Sequence, residues 1–100
     1  MPETVYELNG TSLTVKPEGQ LDSMTSPAFE EDLLRHLEGV SHLTVDFEKL
    51  DYISSAGLRA LLVVSRTLEE RGADMTIIHA SDPIKEIFEM VGFSDLIPIE

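Results

Sequence analysis

The spacing of apolar and polar positions along this chain changes several times, and each change marks an element. Thr4 to Leu8 contains Val5 and Tyr6, residue types that suit a pleated strand. Asn9-Gly10 follows, the pair that most readily takes the positive φ angles of a tight hairpin turn. Ser12 to Lys16 then alternates with Leu13 and Val15 on one face, which predicts two antiparallel strands at the start of the fold. Pro17, Gly19 and Asp22 mark an exit into a loop. At Ser26-Pro27 the period becomes helical, with Ser26 suited to the cap and Pro27 to the first turn. Glu30, Glu31 and Asp32 fall where the helix dipole favours acids, and Phe29, Leu33, Leu34 and Leu37 share one stripe as far as Gly39.

Leu43 to Phe47 alternates again, with Leu43, Val45 and Phe47 on one side. Leu50 to Ile53 then carries the chain to Ser54-Ser55, where a second helix begins with Leu58, Leu61, Leu62 and Leu68 on its inner face and an end near Gly72. Ala73 to His79 is apolar and β-branched, as a buried strand is. Ser81 or Asp82 caps a third helix, with Pro83 in its first turn, Ile84, Ile87, Phe88 and Val91 inside, and Gly92 at its end. Leu96 to Ile99 adds a short last strand. The resulting order is β-β-α-β-α-β-α-β. Strands that alternate with helices from the third strand onward predict parallel crossovers joined to an N-terminal hairpin. The expected fold is therefore α/β: a mixed sheet of four to five strands with helices packed on it, in one domain over residues 1–100.

Composition narrows the function. Hydrophobic residues make up 42% of the chain, enough for one core, and only the first two or three residues are expected to be disordered. Seven basic residues against nineteen acidic ones give a net charge of −12. Such a surface repels nucleic-acid phosphates and anionic lipid, so a partner is expected to offer a basic or apolar face. The absence of cysteine excludes disulfides, thiolate chemistry and cysteine metal sites. No basic segment followed by an apolar run opens the chain, and no apolar stretch approaches the roughly 20 residues that span a bilayer, so a cytoplasmic location is expected. His36, His42 and His79 show no i, i+4 pairing and read as surface residues. The glycines are too dispersed for a phosphate loop, and neither cofactor nor metal is expected.

The chemistry concentrates at Leu50-Asp51-Tyr52-Ile53-Ser54-Ser55-Ala56-Gly57-Leu58-Arg59. A hydroxyl at a strand-to-helix junction lies beside the free N–H groups and the positive end of the helix dipole. Phosphorylation there would add about −1.5 to −2 charges and three acceptor oxygens. The same position is also that of an ordinary N-cap, and local physics alone does not choose between the two. Catalysis by serine needs a base and an oxyanion site, and Ser54-Ser55-Ala56-Gly57 lacks the Gly-x-Ser-x-Gly elbow, so an enzyme is not expected. Arg59, one turn after Ser55, shares its face and suits a phosphate or an acidic group of a partner, or is simply solvated. Asp22 and Asp51 are loop acids that orient the junction, meet a partner, or only hold a turn.

The Leu50 to Leu62 motif resembles that of the anti-sigma factor antagonists of the STAS domain family, whose core reads Ser/Asp-Ser-Ser/Thr/Ala-Gly-Leu. The likeness extends over essentially the whole chain through Gly19-Gln20-Leu21-Asp22, Leu43 to Phe47 and Gly92-Phe93. Registered on Gly57-Leu58, it implies a phospho-acceptor at Ser55, with Ser54, where many members carry Asp, as second candidate. It also implies a partner-binding set of Asp22, Ser54, Ser55, Ala56, Gly57, Leu58 and Arg59. The implied function is partner switching. The unphosphorylated protein binds an anti-sigma factor that is a serine kinase of the ATP-binding type and releases the sigma factor; phosphorylation blocks binding, and a serine phosphatase resets it. A monomer is expected when the protein is free. The alternative is a STAS interaction module acting as a phospho-regulated scaffold in another signalling pathway.

Overall fold

A computed structural model describes residues 4–100; the disorder expected of the first residues concerns positions outside that range. The elements in chain order are β1 (Thr4–Asn9), β2 (Ser12–Pro17), β3 (Gly19–Leu21), α1 (Ser26–Arg35), β4 (His42–Asp46), β5 (Leu50–Ile53), α2 (Ser55–Glu70), β6 (Asp74–Ile78) and α3 (Asp82–Met90), followed by a 3₁₀ turn at Phe93–Asp95. Four strands form a mixed sheet in the order β1-β2-β4-β6, antiparallel at β1/β2 and parallel at β2/β4 and β4/β6. The expected α/β architecture, with its N-terminal hairpin and packed helices, is the one observed.

Three details differ from the sequence reading. The hairpin pairs Asn9 with Ser12, so Gly10 and Thr11 are the central turn residues and only Gly10 takes a positive φ, of 64°. Asn9 belongs to the strand. Second, Gly19–Leu21 is not loop: β3 pairs in parallel with β5 as a separate two-stranded ladder, Gln20 opposite Tyr52 and Leu21 opposite Ile53. Each segment is too short to show a period, which is why neither reads as a strand in sequence. Third, the expected last strand reduces to a single bridge between Ile77 and Ile99.

Register explains the layering. Leu13, Leu43 and Met75 stand in one row across β2, β4 and β6, and Val15, Val45 and Ile77 in the next, all buried. Phe29 and Leu33 of α1, Leu61, Val64 and Leu68 of α2, and Ile84 and Phe88 of α3 join them in one core. The intervening rows point to the other face, where Thr14, Thr44 and Thr76 line up across the three strands and are half-exposed. A side-chain period of two divides the sheet into an apolar and a polar face.

Asp46 is, with Ser26, one of two buried polar residues among those described and sits at the carboxyl end of β4. Burial alone would raise its pKa, but hydrogen bonds from the Glu48 N–H (3.0 Å) and from His79 Nδ1 (2.9 Å) outweigh it and hold the carboxyl below its ordinary value.

Gly57 sets the distance between α2 and the small ladder. A Cβ built there would lie 2.6 Å from Ile53 Cγ1, 2.9 Å from Leu21 O and 3.0 Å from Leu21 Cβ. The carbonyl is backbone and cannot swing aside. Replacing glycine by alanine in a helix ordinarily gains about 0.8–1 kcal/mol, whereas overpacking costs about 1–3 kcal/mol. Gly57→Ala is therefore expected to lower stability on balance in denaturant melts. A variant more stable than the parent would mean that the helix does not approach β3 this closely.

Candidate functional site

The junction is built from its backbone outward. Ser54 is the N-cap of α2, with φ −99° and ψ 178°. Its N–H donates to Leu21 O at 2.8 Å, and its carbonyl accepts from the Leu58 N–H at 3.0 Å. These two bonds tie the start of the helix to the end of β3 on one side and to its own first turn on the other. The Ser54 side chain makes no capping hydrogen bond; its Oγ is buried without a partner. The ordinary cap is thus occupied in position but not made chemically, and Ser54 offers no exposed hydroxyl. Ser55, the first residue of α2, is exposed.

The N–H groups of Ser55, Ala56 and Gly57 precede the first intrahelical bond and have no acceptor within the helix. They give the start of this 16-residue helix a partial positive charge next to Ser55. Arg59 is exposed one turn further on, and among the described residues it enters no ion pair. Ala56 and Leu58 are half-buried, Leu58 against the core, and Gly57 is fully enclosed. Gly57 therefore contributes spacing and no surface. Asp51 is exposed on β5, beside the half-exposed Tyr52.

Asp22 follows β3 directly and organises the turn that leads into α1. Its Oδ1 accepts from the Met24 N–H at 2.9 Å and the Thr25 N–H at 3.0 Å. Thr25 Oγ1 completes the turn by accepting from the Asp22 N–H (3.0 Å) and donating to Gln20 O (2.8 Å). Met24, at the tip, is 85% exposed. The helix entrance expected from a Ser26 cap is supplied instead by this turn: Ser26 is the first helical residue, buried, with an unpartnered Oγ. Because Leu21 pairs with Ile53 and accepts from Ser54, the Asp22 turn and the Ser54-Ser55 junction leave the ladder at the same end. What sequence reasoning missed here is the exposure of Met24 and Tyr52, isolated apolar residues whose placement only the fold reveals.

The fold and this junction together define a STAS domain: the sequence matches that family, described as "STAS domain", over residues 4–100. Within that class the chain belongs to the anti-sigma factor antagonists. An anti-sigma-B factor antagonist of Staphylococcus aureus is 31% identical over 86 residues, covering 85% of this chain and 80% of that one. Solved structures agree in fold. An anti-sigma factor antagonist from Mycobacterium paratuberculosis superposes with a TM-score of 0.88 at 18% identity, covering 99% of this chain and 85% of that one. The Bacillus protein SpoIIAA superposes in its unphosphorylated form with a TM-score of 0.77 at 16% identity, covering 98% of this chain and 87% of that one. In its phosphorylated form the TM-score is 0.76 at 17% identity, covering 98% and 91%. Anti-sigma factor antagonists are regulatory proteins and not enzymes. No helix among the described residues is long and apolar enough to cross a membrane.

Two outcomes follow from the junction's geometry. Removing a buried hydroxyl that has no partner relieves a desolvation cost of about 1–3 kcal/mol, so Ser54→Ala is expected to match or exceed the parent in stability. A loss of more than about 1 kcal/mol in a denaturant melt would show that the hydroxyl is paired. The hydrogen bonds from Thr25 and Met24 hold the Asp22 carboxyl below its usual value. The folded carboxyl thus titrates below the unfolded one, and its contribution is present above about pH 4 and lost as pH falls through the lower folded value. The amide signals of Met24 and Thr25 should titrate together with a midpoint below about 3.9, the unperturbed Asp value. A midpoint at or above that value would mean that the turn is not formed in solution.

Proposed function

We propose that this chain is a partner-switching anti-sigma factor antagonist whose switch is Ser55. The observation that carries the reading is the contrast between neighbours: Ser55 is exposed at the first position of α2, while the Ser54 hydroxyl is buried. A kinase needs access to its acceptor, and that favours Ser55 over Ser54. Unphosphorylated, the protein binds an anti-sigma factor, itself a serine kinase of the ATP-binding type, and sets the sigma factor free. Phosphorylated on Ser55, it no longer binds, and a serine phosphatase restores it. The family match supports the class of partner, and the antagonists of Staphylococcus and Listeria are named for acting against an anti-sigma-B factor.

The surface around Ser55 fits such a switch. Met24 and Tyr52 present apolar area, 85% and 49% exposed, on the turn that leaves β3 and on β5, the segments next to the junction, and Arg59 is exposed one turn along α2. A phosphate added at Ser55 brings about −1.5 to −2 charges to the same patch. A partner packed there meets a charge that it must desolvate or oppose, and 1.4 kcal/mol already weakens binding tenfold. Asp22, Ala56, Leu58 and Arg59 make or frame the contact, and Gly57 holds the helix at the right depth. The protein works as a monomer in the cytoplasm and serves as substrate and binding module.

The test uses the anti-sigma kinase captured from the source cell with the Ser55→Ala form. Ser55→Ala should bind it as tightly as the parent and take up no phosphate from ATP. Ser55→Asp should bind at least tenfold more weakly, and Ser54→Ala should still be phosphorylated. Equal binding by Ser55→Ala and Ser55→Asp would end the switch reading. Capture of a protein that is not an ATP-binding anti-sigma factor would favour a phospho-regulated scaffold instead.

A further inference from the structure

Away from the switch, the carboxyl ends of two neighbouring parallel strands bring three metal-ligating side chains together. Asp46 ends β4, Glu48 lies two residues on, and His79 follows the last residue of β6. One ligating atom from each lies within 4.8 Å of the others. We propose that Asp46, Glu48 and His79 form a binding site for a divalent transition-metal ion.

The geometry is specific at each residue. Thirty-three positions separate His79 from Asp46, and the pairing of Asp46 with Ile78 in the β4/β6 ladder is what makes them neighbours. His79 takes a left-handed backbone, φ 60°, the only non-glycine residue among those described to do so. The ring reaches Asp46 although its own side chain is 55% exposed. Nδ1 of His79 and Oδ1 of Asp46 lie 2.9 Å apart. An ion about 2.1 Å from each sees them at close to a right angle, as adjacent ligands of a five- or six-coordinate site. Both hydrogen bonds to this carboxylate fall on Oδ1, from His79 and from the Glu48 N–H. Oδ2 accepts neither bond and can join Oδ1 in holding the ion. On binding, the ring takes the tautomer with its proton on Nε2, which frees the Nδ1 lone pair for the ion.

The surroundings favour a cation. A cleft of about 290 Å³ adjoins the cluster, and Glu7, Glu18, Asp46 and Glu48 line it against two lysines, Lys16 and Lys49. Lys16 is already held by Glu7 at 3.1 Å. The imidazole selects the class of ion: carboxylates alone suit Mg²⁺ or Ca²⁺, whereas a nitrogen ligand beside them shifts preference to first-row transition ions. Glu48, being exposed, can swing to close the coordination sphere, and water fills the remaining positions. The site joins the β4–β5 turn to the end of β6, where the Phe47 N–H already donates to Ile78 O at 2.9 Å. It does not depend on the Ser55 reading.

The test is a calorimetric titration of chelator-treated protein with Zn²⁺ at pH 7, with Mg²⁺ as the counter-probe. The parent should bind one Zn²⁺, with a rise in melting temperature and a shift of the His79 ring protons, and should bind Mg²⁺ at least tenfold more weakly. His79→Asn keeps a residue type that tolerates the left-handed backbone, and Glu48→Gln keeps the shape of the side chain. Each should lower Zn²⁺ affinity at least tenfold while leaving the amide spectrum folded. His42→Asn, which removes the exposed imidazole beside Asp74, should bind as the parent does. Zn²⁺ affinity unchanged in His79→Asn, lost in His42→Asn, or equalled by Mg²⁺ would overturn the proposal, as would a parent that binds no Zn²⁺.

Discussion

The close approach of α2 to β3 at Gly57 fixes how the start of the helix is set against the small ladder. The chain is pinned there twice within four residues: the Ser54 N–H bonds to Leu21 O, and Gly57 then lies against Leu21 and Ile53 with no room for a Cβ. Between two such points the helix start has no freedom to rotate. Ser54, in an extended backbone before the helix, is held at the contact with its hydroxyl inside, and Ser55, the first helical residue, turns outward. Packing, more than capping chemistry, thus decides which of two identical side chains meets the solvent. The same pin fixes β3 beside β5, and through Leu21 the Asp22 turn beside the junction.

Strand β4 connects this local constraint to the rest of the molecule. Leu43 and Val45 fill the centre of the core, Thr44 stands in the threonine row on the polar face, and Asp46 ends the strand in the cluster with Glu48 and His79. Its exit through Phe47 is anchored to β6, and the following turn is anchored to β3 by the bond from the Gly19 N–H to Lys49 O at 3.0 Å. The chain therefore reaches Ser54 through a connection that is hydrogen-bonded on both sides. A site placed at its far end inherits that rigidity. This is how a chain of 100 residues presents a fixed surface without disulfides.

Much of this was legible in the sequence, and the parts that were not have identifiable reasons. Leu13 and Val15, Leu43 and Val45, and the stripe Phe29, Leu33, Leu37 all repeat over enough residues for their period to be read, and each is buried as expected. The three-residue β3 and four-residue β5 carry no such period; only their pairing makes them strands. The hairpin turn moved by one residue because Gly10, free to take positive φ at the first central position, left Asn9 for the ladder. At the junction, sequence and resemblance located the two serines but not their orientation. Orientation depends on Leu21, thirty-three residues before Ser54 in the chain. The grouping of His79 with Asp46 is equally invisible, since it arises from strand register and not from spacing along one element.

A phosphate on Ser55 would not have to reshape this fold in order to act. The Ser55 hydroxyl is outside the core, and the free N–H groups of the first helical turn lie beside it. With −12 charges already spread over the chain, one more phosphate changes the overall field by a modest fraction. What it would change greatly is the local field at the start of α2, where a surface docking as proposed would have to shed its water. A switch of this kind needs a rigid frame and a local charge. The pin at Gly57 supplies the first, and the exposed hydroxyl is the place to put the second.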